Sequence, residues 1–239
     1  MNTYETTFGN NSAANALPEE RARFIRKTYL HLAAAILAFV ALEGYLFVSG
    51  VAYSILSVLS MGGGMSWLLV LGAFMGVSWL ASSWANSQTS KPMQYLGLLL
   101  YVIAQAVIFV PLLFKIATFS SNPGDVIVKA GIVTLGLFLG ISSVVFLTRK
   151  DFSFLGPILA IGFFIAIGFI VASIWLGFSL GSLFAFAMVA FAGTAILYET
   201  SNVMHRYNPN QHVAASLALF ASIAMLFYWI LNIFGSSDD

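Results

Sequence analysis

The chain has 239 residues, of which 60% are hydrophobic and 8% charged, and it carries a net charge of +1. A soluble domain carries roughly 25% charged residues, and a fold of this size cannot hide so apolar a body from water. The composition therefore predicts an integral membrane protein. It shows no basic surplus for nucleic acid, and the lack of Cys excludes disulfides, thiolate metal sites and thiol catalysis.

A hydrocarbon core of about 30 Å needs roughly 20 apolar residues per helix. Residues 1–23 read as a polar tail without the apolar run of a signal peptide. Its first twenty residues resemble a short disordered segment by composition. Residues 24–235 are expected to form an all-α domain of seven transmembrane helices, and residues 236–239 a short polar end. The first span is predicted at 28–48. Residues 51–61 are too short to cross and form either an interfacial turn of helix or an extension of span one, broken by Gly62-Gly63-Gly64. The second span covers 66–85 and the third 93–114, with Pro92 in its first turn and Pro111 expected to kink it. Asn122-Pro123-Gly124-Asp125 is a turn in which Asp125 is placed to cap the fourth span, 126–148. The fifth span covers 154–175, the sixth 180–202 and the seventh 213–234. Gly72 with Gly76, Gly136 with Gly140, and Gly177 with Gly181 have the spacing at which helices can approach closely.

Eight of the ten Lys and Arg, namely Arg21, Arg23, Arg26, Lys27, Lys91, Arg149, Lys150 and Arg206, fall on the N-terminal side of the alternating spans. Only Lys115 and Lys129 fall on the other. The N-terminus is thus expected in the cytoplasm and the C-terminus outside.

Few polar groups lie within the spans. Glu199 follows an uncharged run from Leu183 to Tyr198 and lies seven residues before Arg206. That places it about 10 Å inside the cytoplasmic face at 1.5 Å per residue. An ionisable group there marks a candidate functional site. Ser222 lies about 15 Å into the last span by the same rise, so the two can meet: a protonatable carboxyl facing a hydroxyl. The plainer alternative is a snorkelling Glu199, or one capping and pairing locally with Arg206 or His205. Glu43 lies about 24 Å along span one, where it either pairs with Lys115 or meets water. His31, one turn inside span one, reads as a helix-to-helix hydrogen-bonding residue. His205 and His212 flank the last cytoplasmic connector and titrate between pH 5 and 8; with Glu199 they could form a pH-responsive cluster. Asp151 sits in a charged, aromatic turn. No His/Asp/Glu spacing matches a closed metal site, and the hydrolase, metalloprotease and P-loop motifs are missing. No enzyme activity and no cofactor are expected. A retinal pump is excluded by the lack of Lys in the last span.

Three segments carry a family resemblance: Thr148-Arg149-Lys150-Asp151-Phe152-Ser153-Phe154-Leu155-Gly156, Ile196-Leu197-Tyr198-Glu199-Thr200-Ser201-Asn202-Val203-Met204-His205, and Gly124-Asp125-Val126-Ile127. The chain resembles the Bax inhibitor-1 (transmembrane Bax inhibitor motif) family, and within it the bacterial YccA-like branch. The resemblance implies a seven-helix bundle with the last helix central, in a bacterial inner membrane. It also implies a pH-sensitive leak of calcium or protons, gated by an acid in the sixth span facing an acid in the seventh. Glu199 matches the first acid, and so is the one candidate calcium or proton ligand. The second position holds Ser222, and the family's arginine in the second span has no counterpart. One carboxyl cannot share a proton with a twin and offers calcium, which takes six to eight oxygens, a sparse shell. The resemblance implies an alternative role as substrate and modulator of the membrane-anchored ATP-dependent protease FtsH, through the tail Met1 to Glu20. The expected partners are the lipid bilayer and that protease. The leak is the first expectation, the protease role the second.

Overall fold

The structure, a computed structural model, describes residues 12–60, 63–87 and 90–237. These form eight helices: α1 (Pro18–Val48), α2 (Val51–Ser60), α3 (Gly63–Ala85), α4 (Lys91–Phe119), α5 (Pro123–Thr148), α6 (Leu155–Leu176), α7 (Gly181–His205) and α8 (His212–Ser237). Seven are long and apolar enough to span a membrane, and α2 is not. The described residues form a multi-pass all-α bundle.

The helices outrun the apolar stretches because their polar ends are also good helix. Pro18 opens α1 with Glu19 and Glu20 in its first turn, favourable both for a fixed φ and for the helix dipole. The basic stretch Arg21 to Lys27 is therefore helical. The expected disordered tail is corrected from Ser12 onward: Ala13 is fully buried, and its N–H donates to the Tyr207 carbonyl at 2.8 Å. The earlier part of the tail lies outside the described residues. Gly50 takes φ 79°, a left-handed conformation that glycine adopts without steric cost. It breaks the helix, so α2 is a separate ten-residue helix rather than an extension of span one. Of the predicted glycine breaker, Gly62 lies outside the described residues, and Gly63 opens α3.

The expected Asp125 cap is also corrected. Asn122 holds the N-cap position, and Asp125 sits in the first turn of α5, where it pairs with Lys129 at 2.6 Å. Ser90 caps α4 by accepting from the Met93 N–H. Pro92 stands in that first turn, while Pro111 lies inside the helix, which runs on to Phe119.

The last helix is the hub. It packs against α1, α3, α4, α5 and α7. Val213, Ala214, Ala215, Ser216 and Leu217 are successive buried residues on it, and burial on every face marks a helix inside a bundle. Its Ala- and Ser-rich first half lets neighbours come close. In contrast α1 buries one stripe, Phe24, Thr28, Leu32, Ala35, Phe39, Glu43 and Leu46, and α6 buries only Ala166. Midway along, Phe39 meets both Phe109 and Phe220 edge-on, Phe109 stacks on Phe227 at 5.6 Å, and Phe109 meets Tyr228 edge-on at 5.3 Å. This aromatic layer fills the contact between α1, α4 and α8.

The expected glycine contacts do not hold. A Cβ on Gly72, Gly76, Gly136 or Gly140 would meet nothing within 4 Å. Gly177 and Gly181 instead bracket a turn with φ 72° and 67°. The close approach is at Gly97 of α4, where a Cβ would lie 2.5 Å from the Ala81 carbonyl oxygen of α3.

Candidate functional site at the basic end of the bundle

Four consecutive polar residues, Glu199 to Asn202, occupy the last turns of α7. Successive helical residues point about 100° apart, so each of the four faces a different neighbour. Thr200 is fully buried, and its hydroxyl lies 3.4 Å from that of Ser142 on α5. The Tyr29 hydroxyl of α1 is buried close to both without a hydrogen bond of its own. Ser201 accepts from the Phe152 N–H at 2.9 Å and donates to Asp151 Oδ1 at 3.4 Å. It thereby fastens the α5–α6 loop to α7. His205 Nδ1 bonds the Ser201 carbonyl one turn earlier, at 3.0 Å.

Asn202 faces Glu199. Its Nδ2 donates to Glu199 Oε2 at 3.3 Å, while its Oδ1 is buried without a donor. Beside them is a cavity of about 250 Å³, lined by Tyr198, Asn202, Arg206, Tyr207 and Gln211. Glu199 itself is half-buried. The Tyr207 phenol, in the connector beyond α7, is pushed up above its ordinary range by burial, with the nearby Glu199 carboxylate adding to the effect. It is therefore a neutral donor or acceptor at any physiological pH.

Ser222 is not part of this group. It is buried, and its hydroxyl donates to the Ala218 carbonyl of its own helix at 3.1 Å. Among the described residues no hydrogen bond joins it to Glu199. Of the local alternatives, the pairing is not formed: among the described residues no ion pair joins Glu199 to Arg206 or His205. A helix in which Ser back-bonds to the i−4 carbonyl turns the hydroxyl inward, which sequence depth alone cannot reveal.

The expected histidine cluster divides in two. His205 belongs with Ser201 and Asp151. Asp151 is exposed in the loop, and the Ser153 N–H, donating at 2.8 Å, holds its carboxyl below the ordinary value, with His205 and Arg206 adding their charge. His212 instead meets His31 ring to ring at 4.9 Å. His31 Nδ1 bonds the Lys27 carbonyl at 2.7 Å, and its Nε2 reaches the Tyr95 hydroxyl at 3.2 Å. His31 thus links helices α1, α4 and α8, consistent with its reading as a helix-to-helix residue.

Glu43 forms neither expected contact. It is 7% exposed, and both carboxylate oxygens lack a hydrogen-bond partner. It lies one turn beyond Phe39, so the aromatic layer stands between it and the Thr28–Ser216 contact on the same helix. There the Ser216 hydroxyl donates to the Thr28 carbonyl at 2.8 Å. Tyr29, Ser142 and Ser216 were not singled out in the sequence, and Thr200 entered only as part of the 196–205 motif. Only their position within apolar runs marks them, and that is shared with many silent Ser and Thr. Among the described residues no group of three or more acidic or His side chains comes together for a metal ion.

Residues 21–239 match a family described as Inhibitor of apoptosis-promoting Bax1. The chain is similar to the Escherichia coli protein named Modulator of FtsH protease YccA, with 31% identity over 171 residues, 70% of this chain and 74% of the relative. It is similar to Bax inhibitor 1 of Schizosaccharomyces pombe, with 28% identity over 228 residues, 90% of this chain and 77% of the relative. A Pseudomonas aeruginosa protein of uncharacterized role is 37% identical over 121 residues, which span 49% of this chain and about half, 54%, of that relative.

Proposed function

This chain belongs to the Bax inhibitor-1 family, and from that premise we propose that it is a regulatory partner of a membrane-anchored, ATP-dependent protease of the FtsH class in a bacterial inner membrane. The observation that carries the reading is the Ala13–Tyr207 hydrogen bond. It brings the N-terminal segment out at the end of the bundle that holds Arg23, Arg149 and Arg206. By the Lys and Arg bias that end is cytoplasmic, the side on which an ATP-dependent protease works. The E. coli relative named as an FtsH modulator supports the same partner. The role needs no catalytic group and no cofactor.

Residues 1–11 are the handle in this reading, because Ala13 and the first turn of α1 are already part of the bundle. Deleting residues 1–11 leaves that anchor intact. The truncated chain should lose co-purification with the protease and its half-life in cells should lengthen. Normal binding and normal turnover of the truncated chain would refute the handle.

A second reading is favoured by one specific feature: the donorless Asn202 Oδ1 beside Glu199 and a cavity. Two oxygen acceptors there suit a proton or small cation, so a pH-linked leak of protons or calcium would use Glu199. It ranks second because Ser222 supplies no partner to Glu199, and because the aromatic layer packs the middle of the α1–α4–α8 contact. Flux from liposomes loaded with a calcium dye or a pH dye tests it. Identical flux in wild type and Glu199→Gln at every pH removes Glu199 as a gate.

A further inference from the structure

A second and larger cavity, about 670 Å³, lies at the basic end between the first turns of α1 and the α7–α8 connector. Its volume is that of a small-ligand site. Arg23 and Lys27 line it from α1, four residues apart and so on one helix face. Asn208, Asn210 and Gln211 line it from the connector. Among the described residues no carboxylate lies within ion-pair distance of Arg23 or Lys27, whereas Lys129 has its Asp125 partner. Glu20 also lines the cavity, so its ionised side chains carry a surplus of one positive charge.

The amides add donors. Gln211 Oε1 already accepts from the Asn208 N–H at 3.0 Å, which leaves the Gln211 amide nitrogen to donate to a ligand. A guanidinium fork, an ammonium and several amide donors around one positive surplus suit a singly charged phosphate group. Depth says where such a group comes from. Lys27 directly precedes the apolar run of α1, and Arg23 stands one turn, about 6 Å, further out. That is the level of lipid headgroups outside the hydrocarbon, and basic pockets at this level hold anionic headgroups.

We propose that this cavity binds a phosphodiester anion, met at this depth as the headgroup of an anionic phospholipid. The site is independent of the protease reading, and a soluble phosphate is the other source of the same chemistry.

The test uses the full chain in neutral detergent micelles and follows the thermal unfolding midpoint against added dioleoyl phosphatidylglycerol, dioleoyl phosphatidylcholine or inorganic pyrophosphate. Phosphatidylglycerol should raise the midpoint at lower mole fraction than phosphatidylcholine. The double variant Arg23→Gln/Lys27→Gln should weaken that response about thirtyfold, the effect of two cations near an anionic headgroup. The double variant Arg21→Gln/Arg26→Gln removes the same charge from residues outside the cavity, and should weaken it about fivefold or less through screened long-range charge. Asn210→Asp places a carboxylate on the cavity wall without touching α1 and should weaken the response about tenfold, one cation's worth with the lost amide donor. It serves as the test if the α1 variant does not fold. A response to pyrophosphate at the expense of phosphatidylglycerol assigns the site to a soluble phosphate. Equal weakening by both double variants overturns the proposal, as does an unchanged response in Asn210→Asp or a response that fails to tell phosphatidylglycerol from phosphatidylcholine with pyrophosphate silent.

Discussion

Replacing Gly97 by Ala tests the packing of α3 on α4 at one atom. The new Cβ would lie 2.5 Å from the Ala81 carbonyl oxygen and 2.6 Å from the Ala85 nitrogen, both backbone. A carbon approaches a carbonyl oxygen no closer than about 3.3 Å, so the two helices must part by about 0.8 Å there. No side chain can swing aside. Overpacking of this kind costs about 1–3 kcal/mol, and a backbone obstacle puts it near the upper value. Ala is the better helix former by about 1 kcal/mol, which leaves a net loss of about 2 kcal/mol. For a chain of this length that lowers the unfolding midpoint by about 4–8 °C. Gly136→Ala on α5 is the matched control, because its Cβ meets nothing within 4 Å. The propensity gain is then unopposed, and the midpoint should rise by about 2–4 °C. Circular dichroism melts of both variants in the same detergent measure the two shifts. A Gly97→Ala chain as stable as wild type, or shifts of the same sign in both variants, would refute the close approach of α3 and α4.

Ser201→Ala removes the acceptor of the Phe152 N–H and should cost about 1–3 kcal/mol, with faster amide exchange at residues 152–154 and little change at residues 130–140. Asp151→Asn tests the loop carboxyl. Its folded pKa lies below the ordinary value, so its contribution is present above about pH 4 and is lost as pH falls through the lower folded value. Wild type should therefore exceed Asp151→Asn in melting midpoint at pH 7, and the gap should close in acid; a gap that widens in acid contradicts the sign. Ser216→Ala cuts the tie between α8 and the Thr28 carbonyl and should cost about 1 kcal/mol by chemical unfolding. The approach of α1 and α8 at the level of His31 should survive, and a disulfide crosslink in the His31→Cys/His212→Cys background reports it.

Elements were the legible part of this chain. All seven spans and their order follow from apolar length, since each helix satisfies its own backbone in lipid whatever its neighbours do. The uncharged run from Leu183 to Tyr198 also marks Glu199, which the family motif at residues 196–205 then contains. Rotation about each helix axis was not legible. In a chain apolar all round, no polar face shows which side of α7 meets α5 and which meets the loop. Ser222 stands at a suitable depth for Glu199, yet its hydroxyl bonds within α8. His205 and His212 are seven residues apart, yet they join different clusters because α7 ends between them.

Glycine spacing misled for a related reason. It marks where helices can approach, while the side chains around them decide where they do, as at Gly97, where backbone meets backbone. By itself the sequence determined the membrane, the number of spans, the excess of charge at one end and the two carboxyls within the spans, Glu43 and Glu199, because each depends on residues close in the chain. Only the tertiary structure decided that Thr200 meets Ser142, that Glu43 is sealed without a partner, and that Arg23 and Lys27 face a cavity. Those contacts depend on how eight helices are turned about their axes, and no stretch of one helix encodes the rotation of the next.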